Sequence, residues 1–173
     1  MKTVVISYSR TGNNQILAKA IAAGLSAEHV TITMPGEKSF FSIGMDMLFN
    51  RTPKVNTTQE NPVDFQNVVF VGPVWMGQIA SPLRAPVRKH RNSLQQYAFV
   101  SISGGADGPN TKLTAELKKR IGKDPVSVVN FLIAEMLPAD PKPTREQTEA
   151  YRLDEAKAEE LARKVMEELK TFS

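Results

Sequence analysis

Hydrophobic residues are concentrated in five short runs of this chain, and the runs are nearly continuous rather than alternating with polar residues. Continuous apolar runs of this length are typical of strands that are buried on both faces of a parallel sheet. The predicted strands are residues 4–8, 30–34, 68–71, 98–102 and 126–133.

Helical periodicity fills most of the segments between these strands. The predicted helices are residues 14–25, 82–93, 112–121 and 144–169. Gly24 and Gly122 stand near two helix C-termini, and Thr144 with Gln147 has the spacing of a capping box at the start of the last helix. Strands that alternate with helices predict an α/β fold, a doubly wound, five-stranded parallel sheet with helices on both faces. A length of 173 residues is that of a single domain.

The segment 35–65 interrupts this alternation at the place where a second crossover helix is due. It opens with an aromatic and methionine-rich patch and continues into a turn-rich, polar stretch. The patch consists of Phe40, Phe41, Ile43, Met45, Met47, Leu48 and Phe49. We interpret the segment as a short, mostly buried helix followed by a surface loop. The alternative is that part of the patch is exposed, as a homodimer contact or as a lid over a substrate.

The chain contains no cysteine, which excludes disulfides, a thiol nucleophile and cysteine-ligated zinc or iron–sulfur clusters. Any redox chemistry therefore depends on a bound cofactor. The apolar run at the N-terminus ends at Ile6, too short for a signal peptide, and no apolar stretch is long enough to span a bilayer. We expect a cytoplasmic protein without a membrane span.

The formal net charge is +4, but the basic residues are mostly scattered, so nucleic acid is not an expected partner. The densest basic group is Arg84, Arg88, Lys89 and Arg91. We interpret it as the solvated face of a helix near its C-terminus, where cations are favoured. The alternative is a docking surface for an anionic partner or a phosphate-bearing substrate.

Several catalytic motifs are absent from the sequence. There is no G-x-x-x-x-G-K-[ST] phosphate loop, no G-x-G-x-x-G after the first strand, no G-x-S-x-G and no H-x-x-E-H. His29 and His90 are predicted to be surface residues. The segment Ser7-Tyr8-Ser9 lacks the acidic pair that a phosphoacceptor regulatory domain of this architecture needs after its first strand.

The loop after the first strand, Ser9-Arg10-Thr11-Gly12-Asn13-Asn14, brings hydroxyls, amides and backbone N–H groups to the start of a helix. The first four N–H groups of a helix lack intrahelical partners, and the helix dipole is positive there, so this position suits a phosphate. The alternative is an ordinary capped helix start, because Ser, Thr and Asn are common N-caps.

Ligands of open parallel sheets bind outside the carboxyl ends of the strands, so the loops after the third and fourth strands should meet the first loop. Residues 72–82 contain Trp75, the only tryptophan of the chain, which would offer a flat stacking surface. Residues 101–110 contain Gly104 and Gly105, which let the backbone approach a planar ligand. The three loops together predict a site for a nucleotide-like ring system with one phosphate.

These loops resemble those of the flavodoxin family and its flavodoxin-like reductase relatives. The first loop follows the family pattern hydroxyl-x-Thr-Gly-Asn-Thr, except that Asn14 replaces the final hydroxyl. The segment 72–75 resembles the loop that packs against the isoalloxazine ring, and the segment 103–105 resembles the second flavin loop. The resemblance implies a flavodoxin-like fold and FMN as the cofactor.

The resemblance also implies which residues hold FMN. The phosphate would be bound by Ser9, Thr11, Gly12, Asn13 and Asn14, with Arg10 beside it. One side of the ring would be lined by Pro73, Val74, Trp75, Met76 and Gly77, and its pyrimidine edge by Ser103, Gly104, Gly105 and Asp107. Structural alternatives are that Trp75 packs against its own loop, that Met76 fills a gap and that Asp107 caps a turn with Gly108.

Two functions are consistent with such a site. The first is an electron-transfer protein that a separate reductase reduces and that passes electrons to a redox partner protein. The second is an oxidoreductase that takes hydride from NAD(P)H and reduces a quinone, a flavin or another small acceptor. No side chain is predicted to be catalytic. Because the chain is basic and Arg10 lies near the cofactor, we expect a less negative reduction potential than the acidic carriers of the family have.

Overall fold

The computed structural model describes residues 2–36, 40–58 and 65–170. Within these residues the chain forms eight strands and six α-helices. The strands are β1 (Thr3–Tyr8), β2 (Glu28–Thr33), β3 (Asn56–Thr57), β4 (Asn67–Val71), β5 (Val74–Trp75), β6 (Gln78–Ile79), β7 (Gln96–Ser103) and β8 (Ser127–Leu132). The helices are α1 (Asn13–Gly24), α2 (Phe40–Leu48), α3 (Arg84–His90), α4 (Leu113–Ile121), α5 (Arg145–Ala150) and α6 (Glu155–Glu168), with short 3₁₀ turns at Ser81–Leu83 and Ile133–Glu135.

The main sheet has the strand order β3-β2-β1-β4-β7-β8. All five predicted strands are present, and they pair with one another in parallel. In chain order these parallel strands are arranged 2-1-3-4-5, which is the flavodoxin-like order. The strand order reverses between β1 and β4, and a parallel doubly wound sheet binds its ligand at that point. The predicted fold class is confirmed.

The prediction of five strands is wrong by one, because β3 adds a sixth strand at the edge. It is antiparallel to β2, with Ile32 opposite Thr57 and Thr33 opposite Asn56. The backbone N–H of Thr58 donates to the carbonyl of Thr31 over 3.2 Å, which fixes the edge. Both residues of β3 are exposed and polar, so this strand carries no hydrophobic signal.

Helices cover both faces of the sheet, as the buried residues show. On one face Leu17 and Ile21 of α1 and Leu161 and Val165 of α6 form one core with strand residues such as Val69. The second core lies on the opposite face, where the strand residues are joined by Leu83, Val87, Leu113, Leu117 and Ile121. None of the helices in the described part of the chain is long and apolar enough to cross a membrane.

Two helix ends match the sequence signals, for different reasons. Gly122 ends α4 in a left-handed conformation with φ of 90°, which favours glycine. Gly24 is the last residue of α1, but a Cβ there would stand 2.2 Å from the sulfur of Met166 in α6. This glycine therefore permits the close approach of two helices, whereas Leu25 forms the cap.

The last predicted helix, 144–169, is two helices, so its continuity is corrected. The capping box of Thr144 and Gln147 opens α5 as predicted. The chain leaves the helical conformation at Tyr151, and the Asp154 side chain accepts from Lys157 N–H over 2.7 Å to start α6. The predicted helix 82–93 is likewise shorter, a 3₁₀ turn followed by α3.

The segment 35–65 contains the predicted short helix as α2. Ile43 and Met47 are buried, whereas Leu48 is 69% exposed and Phe49 is 56% exposed. The patch is therefore divided between the interior and the surface. Residues 37–39 and 59–64 of this segment lie outside the described residues, as do the side chains of Phe40 and Phe41.

Three expectations about charged and polar side chains are corrected. Arg84 is 2% exposed rather than part of a solvated face, although Arg88 and Arg91 are exposed. His90 is buried. His29 is half-buried in β2, and its Nε2 lies 2.8 Å from the hydroxyl of Ser7 in β1.

Candidate functional site

A cavity of about 720 Å³ opens at the carboxyl edge of the sheet, where the strand order reverses. The loops after β1, β4 and β7 form three of its walls, and α5 forms the fourth. The sequence-predicted site residues on its wall are Arg10, Thr11, Asn14, Pro73, Val74, Trp75, Met76, Gly77, Ser103, Gly104, Gly105 and Asp107. The predicted residues Ser9, Gly12 and Asn13 do not line the cavity, although they are neighbours in the chain of Arg10, Thr11 and Asn14.

The loop after β1 has the backbone geometry of an anion site. Gly12 precedes α1 with φ of 92°, which favours glycine, and a Cβ built there would meet no atom within 4 Å. There is therefore open space beside the Cα of Gly12. The Ser9 hydroxyl accepts from the N–H of Asn14 over 3.2 Å, which holds the loop against the helix start.

Both asparagine side chains of this loop bind backbone groups. Asn14 donates its amide N–H to the carbonyl of Ile102 over 2.9 Å and accepts from the Ile102 N–H over 2.8 Å. Asn13 donates to the carbonyl of Tyr151 over 3.0 Å and accepts from the Leu153 N–H over 2.9 Å. These amides therefore hold β7 and the α5–α6 link in place, so they are not available to bind a ligand.

The loop after β4 is a hairpin of β5 and β6. Val74 pairs with Ile79 and Trp75 with Gln78, and the two turn residues, Met76 and Gly77, have φ of 51° and 80°. Positive φ at both positions is the type I′ turn that suits a two-residue hairpin. Met76 is 73% exposed at the tip.

Trp75 packs edge-to-face on Tyr8, the last residue of β1, with ring centroids 5.8 Å apart and planes at 88°. Burial raises the pKa of the Tyr8 phenol, and the charge of Arg10 opposes this rise. The hairpin is thus joined through two aromatic rings to the end of β1, where the loop of residues 9–14 begins. Trp75 is half-buried and lines the cavity beside Val74.

The loop after β7 lines the cavity with the backbone of Gly104 and Gly105. The carbonyl of Gly104 accepts from Ala134 N–H over 2.9 Å, and a Cβ at Gly104 would lie 3.0 Å from the hydroxyl of Thr148. The Asp107 carboxylate forms an ion pair of 2.8 Å with Arg145, and both side chains are exposed. This loop and α5 therefore contact each other.

Sequence reasoning missed the fourth wall of the cavity. Arg145, Thr148, Glu149 and Arg152 line it, from α5 and the link that follows. The signal that locates them is Asp154, an N-cap residue that divides the amphipathic pattern of residues 144–169. Ile102, Ala106, Gly108, Pro109, Asn110 and Ile133 complete the wall.

Arginines outnumber carboxylates on the wall of the cavity. The cations are Arg10, Arg145 and Arg152, and the anions are Asp107 and Glu149. In the described part of the chain, no group of three or more His, Asp or Glu side chains could hold a metal ion. The arrangement suits a planar ligand with a phosphate tail.

The fold is that of solved flavoproteins. A protein from Bacteroides eggerthii DSM 20697 assigned to the flavoproteins matches with a TM-score of 0.67 and 16% identity, over 99% of this chain and 97% of that one. A flavoprotein from Lactobacillus acidophilus NCFM, solved in complex with FMN, matches with a TM-score of 0.61 and 17% identity, over 75% of this chain and 93% of that one. No protein-family model matches the chain, and the search of curated proteins gave no match.

Proposed function

We propose that this chain binds FMN in the edge cavity and works as an electron-transfer protein. The observation that carries the proposal is the convergence of three loops at the strand-order reversal. They are an open helix start after β1, the Trp75 hairpin after β4 and a glycine-rich backbone loop after β7. The structural likeness to a flavoprotein solved with FMN supports the choice of cofactor.

The residues present fit FMN. Thr11 and Asn14, which line the cavity at the start of α1, place a phosphate bound there at the positive end of the helix dipole, which favours an anion. Trp75 and Met76 offer an aromatic face and a thioether to one side of a ring. Ser103, Gly104, Gly105 and Asp107 offer hydrogen-bonding groups to its edge.

Bound FMN supplies one- and two-electron redox chemistry, which the chain itself lacks. The residues around it would bind it, orient it and set its reduction potential. Arg10, Arg145 and Arg152 on the cavity wall favour added negative charge nearby. We therefore propose a reduction potential that is less negative than that of acidic carriers. A potentiometric titration that gave a potential as low as theirs would contradict this.

Reconstitution tests the cofactor directly. The apoprotein, titrated with FMN, is expected to quench flavin fluorescence to saturation and to develop the shifted absorption of a bound oxidised flavin. The variant Trp75→Ala should weaken binding, whereas the matched removal of an exposed apolar residue, Leu48→Ala, should not. The proposal would be contradicted if wild-type protein neither quenched FMN fluorescence nor gave calorimetric heat when FMN was added.

An NAD(P)H-dependent FMN oxidoreductase is the second candidate. It is favoured by the fourth wall, because Arg145, Thr148 and Arg152 extend the cavity beyond the three flavin loops. They add donors for a small substrate such as a quinone or a nicotinamide cofactor. Steady-state oxidation of NADPH by the FMN-loaded protein, with a quinone as acceptor, separates the two. A carrier needs an added reductase, and an oxidoreductase does not.

The partner surface and the compartment are proposals of the same kind. Exposed Leu48 and Phe49 at the end of α2 support a protein contact there, either with a redox partner or with a second copy as a homodimer. Sedimentation of wild-type and Phe49→Ser protein would test the homodimer. A cytoplasmic location accords with a cofactor-dependent carrier, and fractionation of expressing cells would test it.

A further inference from the structure

The link between α5 and α6, residues 151–154, is fixed against the start of α1 and the loop before it, residues 9–14. Asn13 holds it at two points, through the carbonyl of Tyr151 and the N–H of Leu153. The residue between these two points is Arg152. Its backbone is therefore held beside the first turn of α1, and its side chain lines the same cavity as Thr11 and Asn14.

The guanidinium of Arg152 has no acidic partner among the described residues. Its Nη1 donates to two neutral backbone carbonyls, those of Glu149 and Tyr151, over 2.6 and 2.9 Å. Arg145, on the same wall, is by contrast paired with Asp107. Arg152 thus brings an unbalanced positive charge, with further N–H donors, to the helix-start end of the cavity.

In the loop after β1, Arg10 and Thr11 line the cavity, but neither asparagine side chain is available to a phosphate. The Asn14 amide is bonded to Ile102. Asn13 is bonded to the link. Arg152 would add a second cation beside Arg10, and guanidinium is the side chain best matched to phosphate because its N–H groups form a planar fork.

We propose that Arg152 is a phosphate-binding residue, and that it makes the site prefer the phosphorylated flavin to riboflavin. This inference rests on the proposed FMN function. It assigns part of the phosphate site to a residue about 140 positions away from the loop, which Asn13 brings into place.

The test is a pair of titrations, with FMN and with riboflavin, followed by flavin fluorescence. For Arg152→Gln we expect FMN affinity to fall about tenfold or more, as for the loss of a charged hydrogen bond, and riboflavin affinity to stay within about twofold. The FMN affinity of Arg152→Lys should lie between those of Arg152→Gln and wild type, because lysine keeps the charge but lacks the planar set of N–H donors. The FMN affinity of Arg152→Gln should also depend less on salt.

Arg163→Gln is the matched control. Arg163 is exposed on α6, and eight residues along the helix from Glu155 place it about 12 Å further from the loop. Its loss should leave both affinities unchanged.

Three outcomes overturn the inference. Equal weakening of FMN and riboflavin in Arg152→Gln would mean that the residue acts through the fold of the link. An unchanged preference for FMN would mean that the phosphate is held without it. If wild-type protein binds neither flavin, the proposed function itself fails, whereas in the first two cases only the role of Arg152 does.

Discussion

The guanidinium of Arg84 donates to the side-chain oxygen of Gln78 over 3.0 Å, and this contact joins a buried charge to the hairpin that carries Trp75. Arg84 also donates to the carbonyls of Asp46 and Arg51 at the end of α2, over 3.0 and 2.9 Å. Burial lowers the pKa of Arg84. One side chain therefore satisfies acceptors from two segments and fixes their relative position.

Arg84→Ala is expected to destabilise the protein by about 3 kcal/mol, because it leaves a cavity and removes the donor from buried carbonyls. The free energy of unfolding in urea measures this. Since Trp75 is the only tryptophan, its emission should also shift as the hairpin loses its support. Arg88→Ala, one turn away and exposed, should stay within about 0.5 kcal/mol of wild type. If Arg84→Ala and Arg88→Ala had equal free energies of unfolding, Arg84 would not be needed to fix the relative position of the two segments.

Met76, the first turn residue of the hairpin, has a left-handed backbone conformation with φ of 51°. This conformation is unfavourable for a methionine. Met76→Asn, which gives the Asn-Gly pair preferred in such turns, should stabilise the protein by about 1 kcal/mol. If the exposed thioether contacts the flavin, the same change should weaken FMN binding. Thermal melting and FMN titration measure the two effects.

Gly77→Ala is the control for the hairpin conformation. Its φ of 80° makes alanine unfavourable there, so we expect a loss of about 1 kcal/mol. If Met76→Asn were less stable than wild type, the methionine side chain would contribute packing to the folded protein. Ligand contact would then not be needed to explain a methionine at a position with positive φ.

The central strands were predictable because burial on both faces leaves an apolar run that no other element explains. Each observed parallel strand overlaps its predicted run, from Val4 and Val5 in β1 to Val128 and Val129 in β8. The loops of the site follow from the same fact, since the ends of parallel strands share an edge.

Features that depend on one distant contact were not predictable. The helix break at Tyr151 is bound to Asn13, 138 residues away, and hydrophobic periodicity continues across it. Arg84 shares a helical face with exposed arginines, and its burial depends on acceptors at residues 46 and 51, more than 30 positions away, as well as on Gln78. These polar contacts are specific to single atoms, so a pattern of residue types does not reveal them.

His29 should make stability depend on pH. Burial and the charge of Lys19 lower the pKa of its imidazole below the usual 6.5, so below that pH the unfolded chain binds more protons than the folded one. Stability is then full above pH 6.5 and falls as the pH drops through the folded pKa. His29→Gln should flatten the profile below about pH 6.5, as measured by urea midpoints.

An NMR titration of the His29 ring gives an independent check. Ser7→Ala removes its hydroxyl neighbour at 2.8 Å, but burial is the larger cause of the shift, so the pKa should stay low in this variant. A ring that titrates at or above 6.5 in the folded wild-type protein would contradict the argument.

The side chain of Asn14 forms the hydrogen bonds that a neighbouring strand would otherwise form with the end of β7. The last residue of β4, Val71, pairs with Val100, and β7 continues for three more residues to Ser103. At Ile102 the Asn14 amide binds both the N–H and the carbonyl, the two groups that a longer β4 would have bonded. Asn14 is 3% exposed, so water does not replace these bonds easily.

Asn14→Thr introduces a hydroxyl at the start of α1, yet we expect it to destabilise the protein. Threonine is too short and lacks the paired donor and acceptor, so the buried groups of Ile102 lose their partners at a cost of about 2 kcal/mol. FMN affinity should fall with it, because Ile102 lines the cavity. Asn92→Thr, an exposed position, should leave urea stability and FMN affinity unchanged. A stable Asn14→Thr variant with tighter FMN binding would show instead that the position serves the phosphate directly and that β7 holds its end without the amide.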